Sequence, residues 1–355
     1  MASTPTAVLA PLSALYGAAV RGRLALYRSG VLRSHRIGVP VISVGNITAG
    51  GTGKTPLVQW VVRALAREGR RVCVLSRGYG RENEGRRVLV SDGERVLADA
   101  RAGGDEPRLL AESLLGVAAV VCDADRVAAA RWAIDNLSSE AFVLDDAFQH
   151  LRIERDLNIV TVDALDPWGG GRLLPRGRLR EPLSGLRRAD CVVITRAELA
   201  RDLRSLRDEA KRLSGGRPVF AADTRTARIG PLDSAARVSG SGVGPMGNHP
   251  SDPLAAFCAL GNPQAFFVHA RNIGLQLTWE RAFLDHHAYT QEDVDALVRE
   301  AARRGAGALL TTAKDAVKLR GLAFTLPCYV LEIELAFEDE ARMIETLRSA
   351  LLAEQ

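Results

Sequence analysis

The run Val39-Pro40-Val41-Ile42-Ser43-Val44-Gly45-Asn46-Ile47-Thr48-Ala49-Gly50-Gly51-Thr52-Gly53-Lys54-Thr55-Pro56 decides the fold. An apolar segment of strand length enters a glycine-rich bend, the bend closes on Gly53-Lys54-Thr55, and a helical pattern starts at once. Glycines let successive backbone N–H groups converge on phosphate oxygens, and the next helix turns its positive end toward the same anion. In such a loop Lys54 would reach the β- and γ-phosphates of a nucleotide, and the Thr55 hydroxyl would hold Mg²⁺. Thr48 stands where the general pattern has its first glycine, while Gly50 and Gly51 keep the loop flexible. The stretch Thr48, Ala49, Gly50, Gly51, Thr52, Gly53, Lys54, Thr55 therefore reads as a variant P-loop, against the plainer reading of a glycine-rich strand-to-helix turn.

Working outward, short apolar runs alternate with helical patterns. Val72–Leu75, Val117–Cys122, Ala141–Leu144, Leu157–Val162 and Cys191–Thr195 are expected strands, and Leu57–Leu65 and the segment up to Ile134 expected helices. Runs apolar on both faces imply a largely parallel sheet covered on each side, an α/β fold with a P-loop NTPase-like core. Arg87–Val90 and Arg95–Ala98 flank Asp92-Gly93 as an expected hairpin. A second, smaller α/β pattern follows residue 252 and closes with a helix over Glu338–Leu352. The expected division is an N-terminal segment 1–37, a core domain 38–225, a linker or insertion 226–252 rich in glycine, proline and serine, and a second domain 253–355 whose last helix can return to the core.

Composition sets the surroundings. The chain has 355 residues and a net charge of +5, which favours an anionic partner. Its five cysteines show no metal or redox spacing, as expected of buried thiols in a reducing compartment. No run reaches transmembrane length and no signal peptide is visible. In residues 8–36, Leu9, Leu12, Leu15, Tyr16, Ala19, Val20, Leu24 and Tyr27 recur at helical spacing beside Arg21, Arg23, Arg28, Arg33 and Arg36. That segment suits an anionic membrane surface or packing against the protein body. Basic residues interleaved with aromatics are not evident, so nucleic acid is not an expected partner, and no obligate protein partner is evident.

The chemistry-bearing residues lie at the ends of expected strands and helices. Asp145 ends an apolar strand, where a Walker-B carboxylate belongs, and Asp146 beside it can serve the metal or the acceptor. Asp105, before Glu106-Pro107, reads on spacing alone first as a helix N-cap and only second as a catalytic carboxylate. Arg77 is either a phosphate contact or a loop arginine, and His286-His287 either functional or merely loop residues.

Taken in order, Thr48–Thr55, Ser76-Arg77-Gly78-Tyr79, Gly104-Asp105-Glu106-Pro107, Asp145-Asp146-Ala147-Phe148-Gln149-His150, Arg180-Glu181-Pro182 and Asp285-His286-His287 resemble the tetraacyldisaccharide 4′-kinases of lipid A synthesis. The resemblance runs from the N-terminal segment to Lys314-Asp315, with Ala147 and Leu284 as small departures. It implies transfer of the γ-phosphoryl of ATP to the 4′-hydroxyl of a tetraacyldisaccharide 1-phosphate to give lipid IVA, on two α/β domains with the active site in the cleft between them. It further implies Lys54, Asp105, Asp146 and His286 as catalytic residues, and Thr55 and Asp145 as Mg²⁺ contacts. Arg77, Tyr79, Gln149, His150 and Arg180 are its candidate substrate contacts. Such a substrate places the enzyme peripherally at the cytoplasmic face of the inner membrane. The alternative, a partition- or maturation-type P-loop ATPase switch, shares Gly50-Gly51-x-Gly53-Lys54-Thr55 but usually carries a signature lysine where Ala49 stands.

Overall fold

The computed structural model describes residues 9–232 and 252–352. Along the chain the elements begin with α1 (Ala10–Arg28), β1 (Val41–Asn46), α2 (Lys54–Arg67), β2 (Val72–Ser76), β3 (Val88–Ser91), α3 (Ala100–Gly103), α4 (Asp105–Ser113) and β4 (Ala118–Cys122). There follow α5 (Arg126–Leu137), β5 (Ala141–Asp145), β6 (Leu157–Asp163), β7 (Cys191–Thr195), α6 (Leu203–Leu213) and β8 (Val219–Pro231). The last elements are β9 (Leu254–Cys258), α7 (Pro263–Asn272), β10 (Leu277–Ala282), α8 (Gln291–Arg303), β11 (Ala308–Thr312), α9 (Ala313–Leu319), β12 (Cys328–Phe337) and α10 (Glu340–Leu352).

The chain divides into two compact units, and the division differs from the expected one. The first comprises Met1–Arg77, Asp123–Asp223 and Leu335–Gln355, and the second Gly78–Cys122 and Thr224–Glu334. The segment expected as a continuous core, 38–225, is thus interrupted by 45 residues that pack with the later part of the chain. Most of the expected linker, residues 233–251, lies outside the described residues, while 226–231 continue β8 as strand.

In the first unit the strand order is β8-β7-β6-β1-β5-β2, with every pairing parallel. Residues of β1, β2, β5 and β7 are buried throughout, which is why they read as unbroken apolar runs rather than as alternations. Leu57, Val58, Val61, Val62 and Leu65 give α2 its buried face. The C-terminal segment also belongs here, with the Trp60 and Phe337 rings 4.5 Å apart and Arg348 2.7 Å from Glu68.

In the second unit β10-β9-β11-β12 form a parallel series, and β3 pairs antiparallel with β4. The expected hairpin is corrected: Asp92 does make the turn by accepting from the Glu94 and Arg95 N–H groups, but Arg95–Ala98 form no strand. Only a single bridge joins Ser91 to Val96. Thr290 and Asp293 cap α8 reciprocally.

Helix α1 buries small residues against the body rather than Leu12 or Leu15. Ser13 and Gly17 are its buried positions, the Ser13 hydroxyl donates to the Leu173 carbonyl at 2.9 Å, and the Tyr16 hydroxyl donates to the Arg180 carbonyl at 2.7 Å. Leu12 and Leu15, expected on the same face as Tyr16, are 53% and 70% exposed.

Gly45 shows how closely the strand bearing the glycine-rich loop is packed. A Cβ there would lie 2.7 Å from both the backbone N and the Cβ of Phe148. Because the obstruction includes backbone, Gly45→Ala is expected to lower stability by about 1–3 kcal/mol. Urea unfolding of the two proteins measures it; equal midpoints would show that the turn after β5 yields freely.

Candidate active site

The loop after β1 is braced from beneath. Asn46 donates through Nδ2 to the Thr48 carbonyl at 2.6 Å and to Thr52 Oγ1 at 2.9 Å. Thr52 Oγ1 and Thr161 Oγ1, at the end of β6, are 2.9 Å apart. The Thr195 hydroxyl, at the end of β7, donates to the Thr52 carbonyl at 2.9 Å. Arg196 donates from both terminal nitrogens to the Gly51 carbonyl at 3.1 Å and is held by Asp163 at 2.6 Å. Gly53 caps α2 at φ 73°, and a Cβ there would meet Thr195 at 3.3 Å, so the position requires glycine on two counts. The segment after β6 closes the other side, with the Ala49 N–H donating to the Arg178 carbonyl and the Arg180 N–H to the Ile47 carbonyl.

Lys54 and Thr55 open the first turn of α2. Lys54 Nζ lies 3.5 Å from Asp146 Oδ1, and Arg180 Nη1 donates to both Asp146 oxygens at 2.9 and 2.8 Å. Burial works to raise the Asp146 carboxyl, but Lys54 and Arg180 outweigh it and hold the group below the usual carboxylate value. Asp146 adopts φ 48°, a left-handed conformation uncommon for a non-glycine residue. Asp145, one residue earlier, is 3% exposed and accepts from the Ser76 hydroxyl at 3.1 Å. Two adjacent carboxylates thus have different surroundings, one facing two cations and the other a hydroxyl.

In the second unit Asp105 begins α4, and Gly104 occupies the N-cap position. Its Oδ2 lies 3.5 Å from His286 Nδ1. The N-cap alternative for this side chain is therefore not what the structure holds. His286 sits after β10 at φ 61°. His287 turns elsewhere, with Nε2 3.0 Å from Asp293 Oδ2 and its ring stacked on Phe283.

Of the remaining candidate contacts, Arg180 joins the Lys54–Asp146 group. Gln149 is committed to architecture, donating to the Asn46 carbonyl at 2.9 Å and to Glu181 at 2.7 Å. Arg77 is half-buried at the end of the first unit's segment, and Tyr79 is 57% exposed in the second unit. His150 is half-buried, and its Nε2 is enclosed without a hydrogen-bond partner. The bracing residues Asn46, Thr161, Asp163, Thr195 and Arg196 were not expected from sequence. The apolar strand ends they occupy were legible; the pairing beneath the loop depends on strand order.

Comparison with known proteins now decides the assignment. The family model described as tetraacyldisaccharide-1-P 4′-kinase matches residues 5–352. The chain belongs to this family. It is 45% identical over 316 residues to a tetraacyldisaccharide 4′-kinase of Geobacter metallireducens, covering 88% of each chain. To the enzyme of the same name from Anaeromyxobacter dehalogenans it is 44% identical over 304 residues, covering 85% of this chain and 78% of that protein. Its fold is similar to that of the Aquifex aeolicus LpxK crystal structure in complex with ATP, with a TM-score of 0.77, 32% identity, and coverage of 98% of this chain and 99% of that one.

Within this member of the tetraacyldisaccharide 4′-kinase family, His150 makes a pH dependence measurable. Burial, with Arg126, Arg155 and Arg23 nearby, pushes its imidazole down from 6.5 to about 4. The unfolded chain therefore binds a proton that the folded chain refuses between those values. Stability is complete above pH 6.5 and is lost as pH falls toward 4, by up to roughly 3 kcal/mol. Urea unfolding at pH 7, 6 and 5 is expected to show this loss, and His150→Gln to flatten it. Parallel profiles for both proteins would mean that His150 titrates normally.

Proposed function

We propose that the chain transfers the γ-phosphoryl group of ATP to the 4′-hydroxyl of a tetraacylated glucosamine disaccharide 1-phosphate, giving lipid IVA. The observation that carries this reading is the family match over residues 5–352 in a chain whose braced loop delivers Lys54 beside Asp146. The loop's carbonyls are engaged from outside by Asn46, Thr195 and Arg196, which suits a loop whose N–H groups serve an anion.

In this reading the Thr48–Thr55 backbone and Lys54 bind the β- and γ-phosphates, and Arg180 adds positive charge beside them. The 4′-oxygen forms a bond to the γ-phosphorus as the bond from that phosphorus to the β,γ-bridging oxygen breaks, and ADP leaves. Asp105 accepts the hydroxyl proton, with His286 hydrogen-bonded to it. Asp146 holds Lys54 and Arg180 in place as a buried anion. Thr55 and Asp145 offer the hard oxygen donors that Mg²⁺ takes, and Mg²⁺ when bound would offset phosphate charge. Among the described residues no group of three His, Cys, Asp or Glu side chains is placed to hold a metal.

A lipid acceptor also accounts for α1. Leu12, Leu15, Leu26, Val31 and Leu32 are exposed, with Arg21, Arg28 and Arg33 exposed on the same segment. An apolar edge beside basic residues lies well in the headgroup layer of an anionic membrane. No helix among the described residues is long and apolar enough to cross a membrane. Peripheral binding at the cytoplasmic face of the inner membrane is the corresponding location. A cavity of about 330 Å³, lined by residues including Leu24, Tyr27, Ile153, Arg28 and Arg155, adds a second surface of mixed apolar and basic character.

The direct test supplies ATP and tetraacyldisaccharide 1-phosphate in detergent and weighs the lipid product by mass spectrometry. A gain of one phosphoryl group is expected. ATP hydrolysis that responds to a protein partner while the lipid mass stays unchanged would favour the ATPase-switch alternative. Asp105→Ala is expected to lower kcat by at least about 100-fold and to leave KM for ATP nearly unchanged. A near-normal kcat would remove Asp105 from the chemistry.

Membrane contact is tested without deleting α1, whose polar contacts support the body of the first unit. Leu12→Ser combined with Leu15→Ser removes exposed apolar groups only, and is expected to weaken sedimentation with phosphatidylglycerol-containing vesicles by roughly tenfold. Unchanged sedimentation would mean that these leucines do not enter the lipid.

A further inference from the structure

Beyond Asp105 and His286, the second unit gathers three more charged groups that the proposed reaction does not use. Glu106 follows Asp105 in the first turn of α4, Asp285 precedes His286, and Lys314 stands in the first turn of α9. Lys314 Nζ lies 2.9 Å from Glu106 Oε1, 3.3 Å from Asp285 Oδ1 and 3.5 Å from His286 Nε2. Its side chain is only 14% exposed, while that of His286 is 49% exposed. A lysine sequestered in this way is not an ordinary surface lysine.

The donor and acceptor inventory constrains the imidazole. An ammonium group has three N–H donors and no lone pair. Lys314 can only donate, so its 3.5 Å contact with His286 Nε2 favours a lone pair on that nitrogen, against the Asp285 Oδ1 that stands farther off at 3.9 Å. A neutral imidazole with an accepting Nε2 carries its proton on Nδ1, and Nδ1 is the nitrogen that faces Asp105 Oδ2 at 3.5 Å. A second proton on Nε2 would remove that lone pair and set two cations against each other. No other ring competes for these groups, because His287 is engaged by Asp293 on α8.

We infer that Lys314 is a positioning residue for the Asp105–His286 pair, fixing His286 as the neutral ring whose Nδ1–H is directed at Asp105. The inference rests on the proposed role of Asp105 as acceptor of the hydroxyl proton, but its geometric content does not depend on turnover. The charge of Lys314 is secure at working pH. Burial would push its ammonium down, yet the Glu106 and Asp285 carboxylates outweigh burial and hold it above the ordinary lysine value. The groups facing His286 are then Asp105 from α4, Asp285 from its own loop, and Lys314 from α9, with Glu106 acting on Lys314.

The test reads the tautomer directly and the rate separately. Nitrogen-15 spectra of the full chain labelled at histidine, with the His286 signals assigned by His286→Gln, are expected to show a neutral ring protonated at Nδ1. Lys314→Met is expected to shift the ring toward the Nε2–H form or toward protonation at both nitrogens. In the kinase assay Lys314→Met is expected to lower kcat by roughly tenfold or more, with KM for ATP moving less than about twofold. The low-pH limb of kcat should move upward in pH in the same variant. Lys314→Arg, which keeps charge and donors, is expected to recover part of the rate and the Nδ1–H signal, and it also serves if the methionine variant does not fold. A wild-type ring protonated at Nε2, or His286 signals unchanged when Lys314 is replaced, overturns the inference. If the tautomer behaves as expected but no lipid is phosphorylated by the wild-type chain, it is the proposed function that fails instead.

Discussion

A backbone loop that offers its N–H groups to an anion must turn its carbonyls away, and buried carbonyls need partners of their own. This constraint organises the first unit. The Thr48, Gly51 and Thr52 carbonyls are taken by Asn46, Arg196 and Thr195, so three residues from the ends of two strands, β1 and β7, hold one loop open. Only a parallel arrangement brings those ends to one edge of the sheet. The register places Asn46 opposite Thr161 and Asp163 opposite Thr195, which sets the hydroxyls and the Arg196 anchor under the loop together. A slip of one residue between β1 and β6 would turn Thr161 away and leave Thr52 Oγ1 without that contact.

The same unit solves a second electrostatic problem at Asp146. A carboxylate this enclosed is costly unless cations meet it, and it meets two. The left-handed backbone at Asp146 redirects the chain directly after β5, so that Asp145 and Asp146 do not share surroundings. Asp145 keeps a hydroxyl partner. Asp146 becomes the counter-ion that fixes Lys54 and Arg180. Arg180 comes from a loop of glycine, proline and arginine, and its own backbone N–H is tied to Ile47, so the guanidinium arrives with the loop and not as a free surface group.

How much of this could be read from the chain follows from which requirements are local. A glycine-rich bend between strand and helix records its backbone demands in residue identity, so Gly53-Lys54-Thr55 and the parallel core were visible at once. The passage of Gly78–Cys122 into the second unit was not, because periodicity tells which face of an element is apolar and not which sheet it joins. Helix α1 shows the same limit. Its periodicity marks a leucine-bearing face, yet the face against the body is made of Ser13, Tyr16 and Gly17, where small side chains allow close approach. Lys314 closes the resemblance in sequence without a role assigned to it, since nothing nearby in the chain announces Glu106, which lies 208 positions away.

The fixed charges of the two groups run in opposite senses. Around the loop, Lys54 and Arg180 both meet the carboxylate of Asp146. Around His286, the carboxylates of Asp105, Glu106 and Asp285 outnumber the one ammonium of Lys314. Lys314 keeps the cluster from repelling itself apart, because two of the three carboxylates are its direct partners. The third, Asp105, has the imidazole alone among these groups beside it.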